Sequence, residues 1–264
     1  MKGNGQPSPP EADRAASRAL AARMSAIAEP LMRVAAMTEV MADGPPGAMV
    51  RVVGDLIARA GDATSAHRLA LDAVLLVLSD GSRLEYERRA ELYAAAVEAD
   101  RPEVALLLLD AMPTVPGTER LERQLGSELP LTPTGRALTL GERKSMARGH
   151  RRDLLLQLVR DPHPDVIAVL LDNPCLTESD VLQLAARRPM LPAALAVIAA
   201  AHRWRARSRI RRALVLNPFT AVPLAARLIT TLSDADLHRA LRDPSLNQRL
   251  RDHAGRVLAL RRSR

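Results

Sequence analysis

Four Asn/Asp-Pro dipeptides punctuate the second half of this chain: Asp161-Pro162, Asn173-Pro174, Asn217-Pro218 and Asp243-Pro244. Proline lacks an amide proton and drives the residue before it out of the helical region, so a helix that runs into such a pair stops there. The Asn or Asp side chain can then close the turn on its own backbone. Each pair follows an apolar stretch and precedes a new amphipathic one. Three segments align in this way, 170–182, 214–224 and 240–250, and 158–166 opens in the same way. Helices of about three turns cannot bury an apolar stripe alone; stacked on the next unit, they can. The prolines are unevenly spaced, consistent with a degenerate unit near Arg188-Pro189 inside the longest gap.

Composition extends the helical reading to the whole chain. Ala (45) and Leu (42) make up a third of the 264 residues, while the aromatics are only Tyr86, Tyr93, Trp204 and Phe219. Abundant strong helix formers with so few aromatics disfavour a large sheet. In the first half a helix is expected from Ala12 to Ala42, bent or broken at Pro30, then a turn over 43–47 and a helix over 49–60 stopped by Gly61. Residues 64–79 carry two apolar faces and so predict contact on two sides. Ser82-Arg-Leu-Glu85 and Asp100-Arg-Pro-Glu103 read as capping boxes. Between them Tyr86, Ala90, Tyr93 and Val97 recur at helical spacing and read as a core face, with an interface anchor as the alternative.

The expected organisation is therefore all-α. Residues 1–11 read as a disordered tail, 12–112 as an N-terminal helical domain, and 113–137 as a Pro/Gly-rich linker with one short helix around Arg120–Gln124. Residues 138–264 read as helical repeats, an α-solenoid-like half packed with or linked to the first domain. The repeat half resembles the HEAT-like and leucine-rich-repeat-variant α-solenoids of bacterial proteins, a likeness carried by the (Asn/Asp)-Pro units and their flanking Leu positions. The stretch 140–260 is also similar to uncharacterised bacterial proteins with an Arg-rich segment like Arg211-Arg-Ala-Leu-Val-Leu-Asn-Pro218. That resemblance implies an interaction scaffold. Some variant-repeat proteins carry an iron–sulfur cluster, which a chain whose one cysteine is Cys175 could not ligate.

Charge is placed asymmetrically. Residues 1–130 hold 14 Lys/Arg against 19 Asp/Glu, and residues 131–264 hold 24 against 11. The densest basic run surrounds the single tryptophan: Arg203, Trp204, Arg205, Arg207, Arg209, Arg211 and Arg212. Read as one helix, it offers guanidinium forks for phosphates and an indole for base stacking, with Arg261, Arg262 and Arg264 as further phosphate contacts. The competing reading is a solvated helix whose Arg stems cover apolar neighbours, with Trp204 in the core. Asp161-Pro-His163-Pro-Asp165 reads as a turn rather than a metal site, and no cofactor is expected. Nucleotide-loop, GxSxG and HExxH motifs are missing, and one tryptophan is too few aromatics for a HEAT-like DNA glycosylase. The apolar run Met190–Ala201 is too short to span a bilayer. The opening residues lack the apolar core of a signal peptide, so a cytoplasmic location is expected. The expected function is a non-catalytic scaffold for another protein, with binding of nucleic acid or another anionic surface through the basic half as the alternative.

Overall fold

The computed structural model describes residues 9–62, 64–109, 118–126 and 135–263, and every regular element among them is an α-helix. Pro30 interrupts the first long helical stretch. α1 (Pro9–Ala26) ends before it, and α2 (Pro30–Asp43) starts on it, because proline fits the first helical position where no amide partner is needed. α1 begins at Pro9, inside the segment expected to be a tail; residues 1–8 lie outside the described residues. α3 (Pro46–Arg59) and α4 (Ala66–Ser79) follow, the latter capped by the Ser65 hydroxyl on the Arg68 amide. Both apolar faces of α4 are used: it packs on α1, α2 and α3, with Ala70, Leu71, Val74, Val77 and Leu78 buried.

The two expected capping boxes do not form. α5 (Tyr86–Glu98) starts beyond Glu85, and Ser82 bonds instead to Asp80, whose carboxylate takes its amide at 3.1 Å and its hydroxyl at 2.6 Å. α6 (Pro102–Leu108) starts after Arg101, and Asp100 has a positive φ of 49°, a turn conformation Asp tolerates. α7 (Thr118–Gly126) contains the short helix expected near Arg120; residues 113–117 and 127–134 of the expected linker lie outside the described residues.

The remaining helices are α8 (Leu140–Arg148), α9 (Arg152–Leu158), α10 (Pro164–Leu171), α11 (Glu178–Ala186), α12 (Pro192–Ala200), α13 (Ser208–Val215), α14 (Val222–Ile229), α15 (Asp234–Arg242) and α16 (Gln248–Arg262). The helices fall into two compact units. One holds residues up to 109 together with 229–242 and 248–263; the other holds 118–228 and 243–247. This differs from the expected boundary, since α15 and α16 belong to the first unit. There α16 packs on α15, α3 and α6, burying Leu250, Ala254 and Val257. The Asp243-Pro244 stop fixes where α15 ends, but a local turn carries no information about which core the next helix joins.

In the second unit α10 packs on α8, α9 and α12, and α13 packs on α11 and α12. Two stretches within it repeat in detail. Thr139 and Glu142 form a capping box at α8, and Thr177 and Asp180 form another at α11, thirty-eight residues later. Asn173, after α10, donates from its amide to the Ala147 and Gly149 carbonyls at the end of α8, at 2.7 and 2.8 Å. Asn217, after α13, donates to the Ala185 and Arg187 carbonyls at the end of α11, both at 2.9 Å. The carbonyls that a helix leaves unpaired at its C-terminus are thus satisfied by the stop that ends a later helix.

Candidate binding surface

All four Asx-Pro pairs close the same turn. The side-chain oxygen of Asp161, Asn173, Asn217 or Asp243 accepts the amide two residues on, from His163, Cys175, Phe219 or Ser245, at 2.8–3.1 Å. Pro162, Pro174, Pro218 and Pro244 occupy the intervening position, where no amide proton is required. At the first three pairs the choice between Asn and Asp follows the second partner. Asn173 and Asn217 face carbonyls and must donate. Asp161 faces the buried Arg143 guanidinium, 2.6 Å away, and must accept. His163 caps α10 by accepting the Asp165 amide at 3.1 Å, and Asp165 pairs with Lys144 at 2.7 Å, so the Asp-Pro-His-Pro-Asp run is a structural turn.

The residues 203–212 are not one helix. Residues 202–206 form a turn, and α13 starts only at Ser208. Trp204 is 3% exposed and donates from Nε1 to the Leu171 carbonyl at 2.8 Å, which closes the C-terminus of α10. Its ring is therefore not available to stack a base, and the core reading of Trp204 is the one that describes it. Arg203 lies 4.5 Å over the indole and donates to the Asn173 and Leu176 carbonyls, so this pair locks the Asn173-Pro174 turn. Arg211 is buried and donates to the Ala206 carbonyl; Arg207 sits 3.9 Å from Glu178; Arg212 is half-buried. Arg205 is half-buried and Arg209 exposed, and both remain free to meet a ligand. Of the terminal arginines, Arg261 is buried and bonded to the Thr230 and Leu232 carbonyls, Arg262 meets His238, and Arg264 lies outside the described residues.

Capping of helix C-termini by arginine recurs throughout the chain. Arg33 bonds the Met24 and Ile27 carbonyls after α1, and Arg88 bonds those of Met41 and Gly44 at the end of α2. Arg187 reaches the Arg160 carbonyl, Arg188 that of Leu216, and Arg68 that of Thr231. The last carbonyls of a helix carry partial negative charge, and a guanidinium offers several donors in a fixed plane, which suits it to bridge two of them. Much of the arginine content is therefore internal scaffolding.

Other arginines pair with acids. Arg152 donates to both oxygens of Asp180 at 2.7 Å, and with the Thr177 hydroxyl and amide it holds that carboxyl down to about 2 against the effect of burial. Arg136 and Thr139 do the same for Glu142, also to about 2.

The face that sequence reasoning placed in the core lies outside it. On α5 the buried residues are Arg89, Leu92 and Ala96, whereas Tyr86 is 77%, Tyr93 40% and Val97 57% exposed. Leu92 and Ala96 are as periodic as the tyrosine stripe, so spacing alone could not choose between them. An apolar void in the first unit, lined by Met41, Met49, Val53, Val74, Leu78 and Leu92 among others, has a volume of about 10 Å³, room for no ligand and no polar group to hold a water. Among the described residues no group of three or more His, Cys, Asp or Glu is placed to hold a metal, and no helix is long and apolar enough to cross a membrane. Compared with known proteins, the chain matches no family, no curated protein and no solved structure.

Proposed function

We propose that this chain is a non-catalytic helical scaffold that holds another protein, and that its second unit is a short HEAT-like repeat stack. The observation that carries the reading is the stripe of Tyr86, Tyr93 and Val97 left uncovered on α5, in a chain with only four aromatics. Exposed tyrosines concentrate contact energy at protein interfaces. The repeated capping boxes and the Asn173 and Asn217 clamps support the repeat-stack reading, because the same local start recurs at α8 and α11 and each clamp ties the end of a later helix to the end of one of them. The test is native co-purification of the full chain followed by size exclusion. The expected result is a stoichiometric protein partner that co-elutes with it; recovery of nucleic acid in place of protein would overturn the reading.

A second reading, polyanion binding through the basic half, is favoured by the two guanidiniums left free at Arg205 and Arg209. It predicts that retention on a nucleic acid falls steeply with salt, as displaced counterions require, and that Arg205→Glu with Arg209→Glu abolishes it. Binding that is insensitive to both salt and these substitutions would exclude this route.

A further inference from the structure

Tyr86, Ala90, Tyr93 and Val97 follow one another at intervals of four, three and four residues, and all four are exposed. This is the alternation with which a helix presents a seam to another helix. At roughly 100° per residue the four positions span about 60° of the helix surface. One edge of the stripe borders the buried face of Arg89, Leu92 and Ala96. The other borders Glu87, Glu91 and Glu98, all exposed. The helix has two basic residues, and together they neutralise only one of these acids, Glu91. Arg89 is buried, and Arg88 turns inward to the carbonyls that end α2 while pairing with Glu91 at 2.8 Å. Glu87 and Glu98 are left exposed, and Glu85 and Asp100 add negative charge at the two ends.

We propose that this face of α5 is a docking seam for a basic amphipathic helix of another protein. The inference rests on the scaffold reading above and names the chemistry of its partner. The partner's apolar side chains lie between Tyr86, Tyr93 and Val97, and its Lys or Arg residues meet Glu87 and Glu98, while Glu91 stays with Arg88. Charge complementarity selects this occupant. An anionic membrane or a nucleic acid would be repelled by the same acids. A second copy docked antiparallel about a two-fold axis would set the Glu87 flank against its own counterpart.

The probe is a labelled synthetic helix of about three heptads, with Leu along the seam and Lys on the flanks, titrated against the full chain by fluorescence anisotropy. A matched peptide carries Glu in place of Lys. The Lys peptide is expected to bind at least roughly tenfold more tightly than the Glu peptide at low salt. Tyr86→Ser with Tyr93→Ser should weaken it by roughly tenfold or more, and Glu87→Lys with Glu98→Lys should reverse the preference between the peptides. Because all these side chains are exposed, the helical circular dichroism and thermal midpoint of each variant should match the parent. Equal affinity for the two peptides, or binding unaffected by the tyrosine substitutions, overturns the proposal. So does a dimer in sedimentation velocity that the tyrosine substitutions convert to monomer, which would assign the seam to a second copy. A native partner retained undiminished by the tyrosine variant would leave the scaffold reading standing and remove this seam from it; loss of both the peptide and any native partner would remove both.

Discussion

Asn217→Asp changes one group of similar shape and reverses what it can do. The Asn217 side chain is 1% exposed as a residue, and its amide nitrogen is 2.9 Å from the carbonyl oxygens of both Ala185 and Arg187. An aspartate there still accepts the Phe219 amide and so keeps the turn. It strips both carbonyls of their donor and sets a negative charge against two oxygens. A buried acceptor left without a partner costs about 1–3 kcal/mol, so the buried Ala185 carbonyl sets a loss of roughly 1–3 kcal/mol, to which the part-buried Arg187 carbonyl and the repulsion add. Asn217→Ala bares the same carbonyls without adding charge and separates the two contributions. Trp204 lies in the same unit, and it is the only tryptophan, so its fluorescence during urea unfolding reports on that unit alone. The pH dependence has a definite sign. Protonation restores one donor, which raises the folded pKa of the new carboxyl above its unfolded value. The variant is then least impaired below the unfolded value and loses stability as pH rises through the folded one. A loss below about 0.5 kcal/mol at neutral pH, or a deficit that does not shrink in acid, would refute the clamp.

Asp161→Asn also keeps its turn, yet it leaves the buried Arg143 without its carboxylate, and it should cost about 3–5 kcal/mol in the same unfolding assay. Asp180→Asn should cost about 1–2 kcal/mol at neutral pH, allowing for solvent at the exposed Arg152 end. Because the folded carboxyl is held at about 2 against a usual 3.8, that contribution is complete above the usual value. The gap between parent and variant should therefore close as pH falls from 3.8 through about 2, followed by circular dichroism. Trp204→Phe should lose about 1–3 kcal/mol from the bared Leu171 carbonyl alone, and should leave any nucleic-acid retention unchanged.

The helix boundaries set by proline were legible because the cause is local. Pro30 and the prolines at 162, 174, 218 and 244 each act on the peptide unit beside them; Pro30 starts α2, and the other four lie in the breaks between consecutive helices. The capping boxes show the limit of local reading. Ser82 and Asp100 had the right residue three positions ahead of a glutamate, yet a nearer partner, Asp80, took Ser82, while Thr139 and Thr177 supplied the boxes that do form. The placement of the basic run was illegible for a related reason. A run of arginine reads as a surface charge until the carbonyls that it caps are located, and Arg203 finds its own thirty residues earlier, at Asn173.

From residue order alone, then, came an all-α chain, the stops that divide it, and the self-closing turn at each stop. These follow from the covalent geometry of proline and the reach of a short side chain. Tertiary structure alone decided that α15 and α16 complete the first unit, that the tyrosines of α5 face outward while Arg89 faces in, and which guanidiniums are spent on helix ends. Each of those outcomes depends on a partner distant in sequence, and an apolar stripe or a guanidinium carries no record of which partner it will meet.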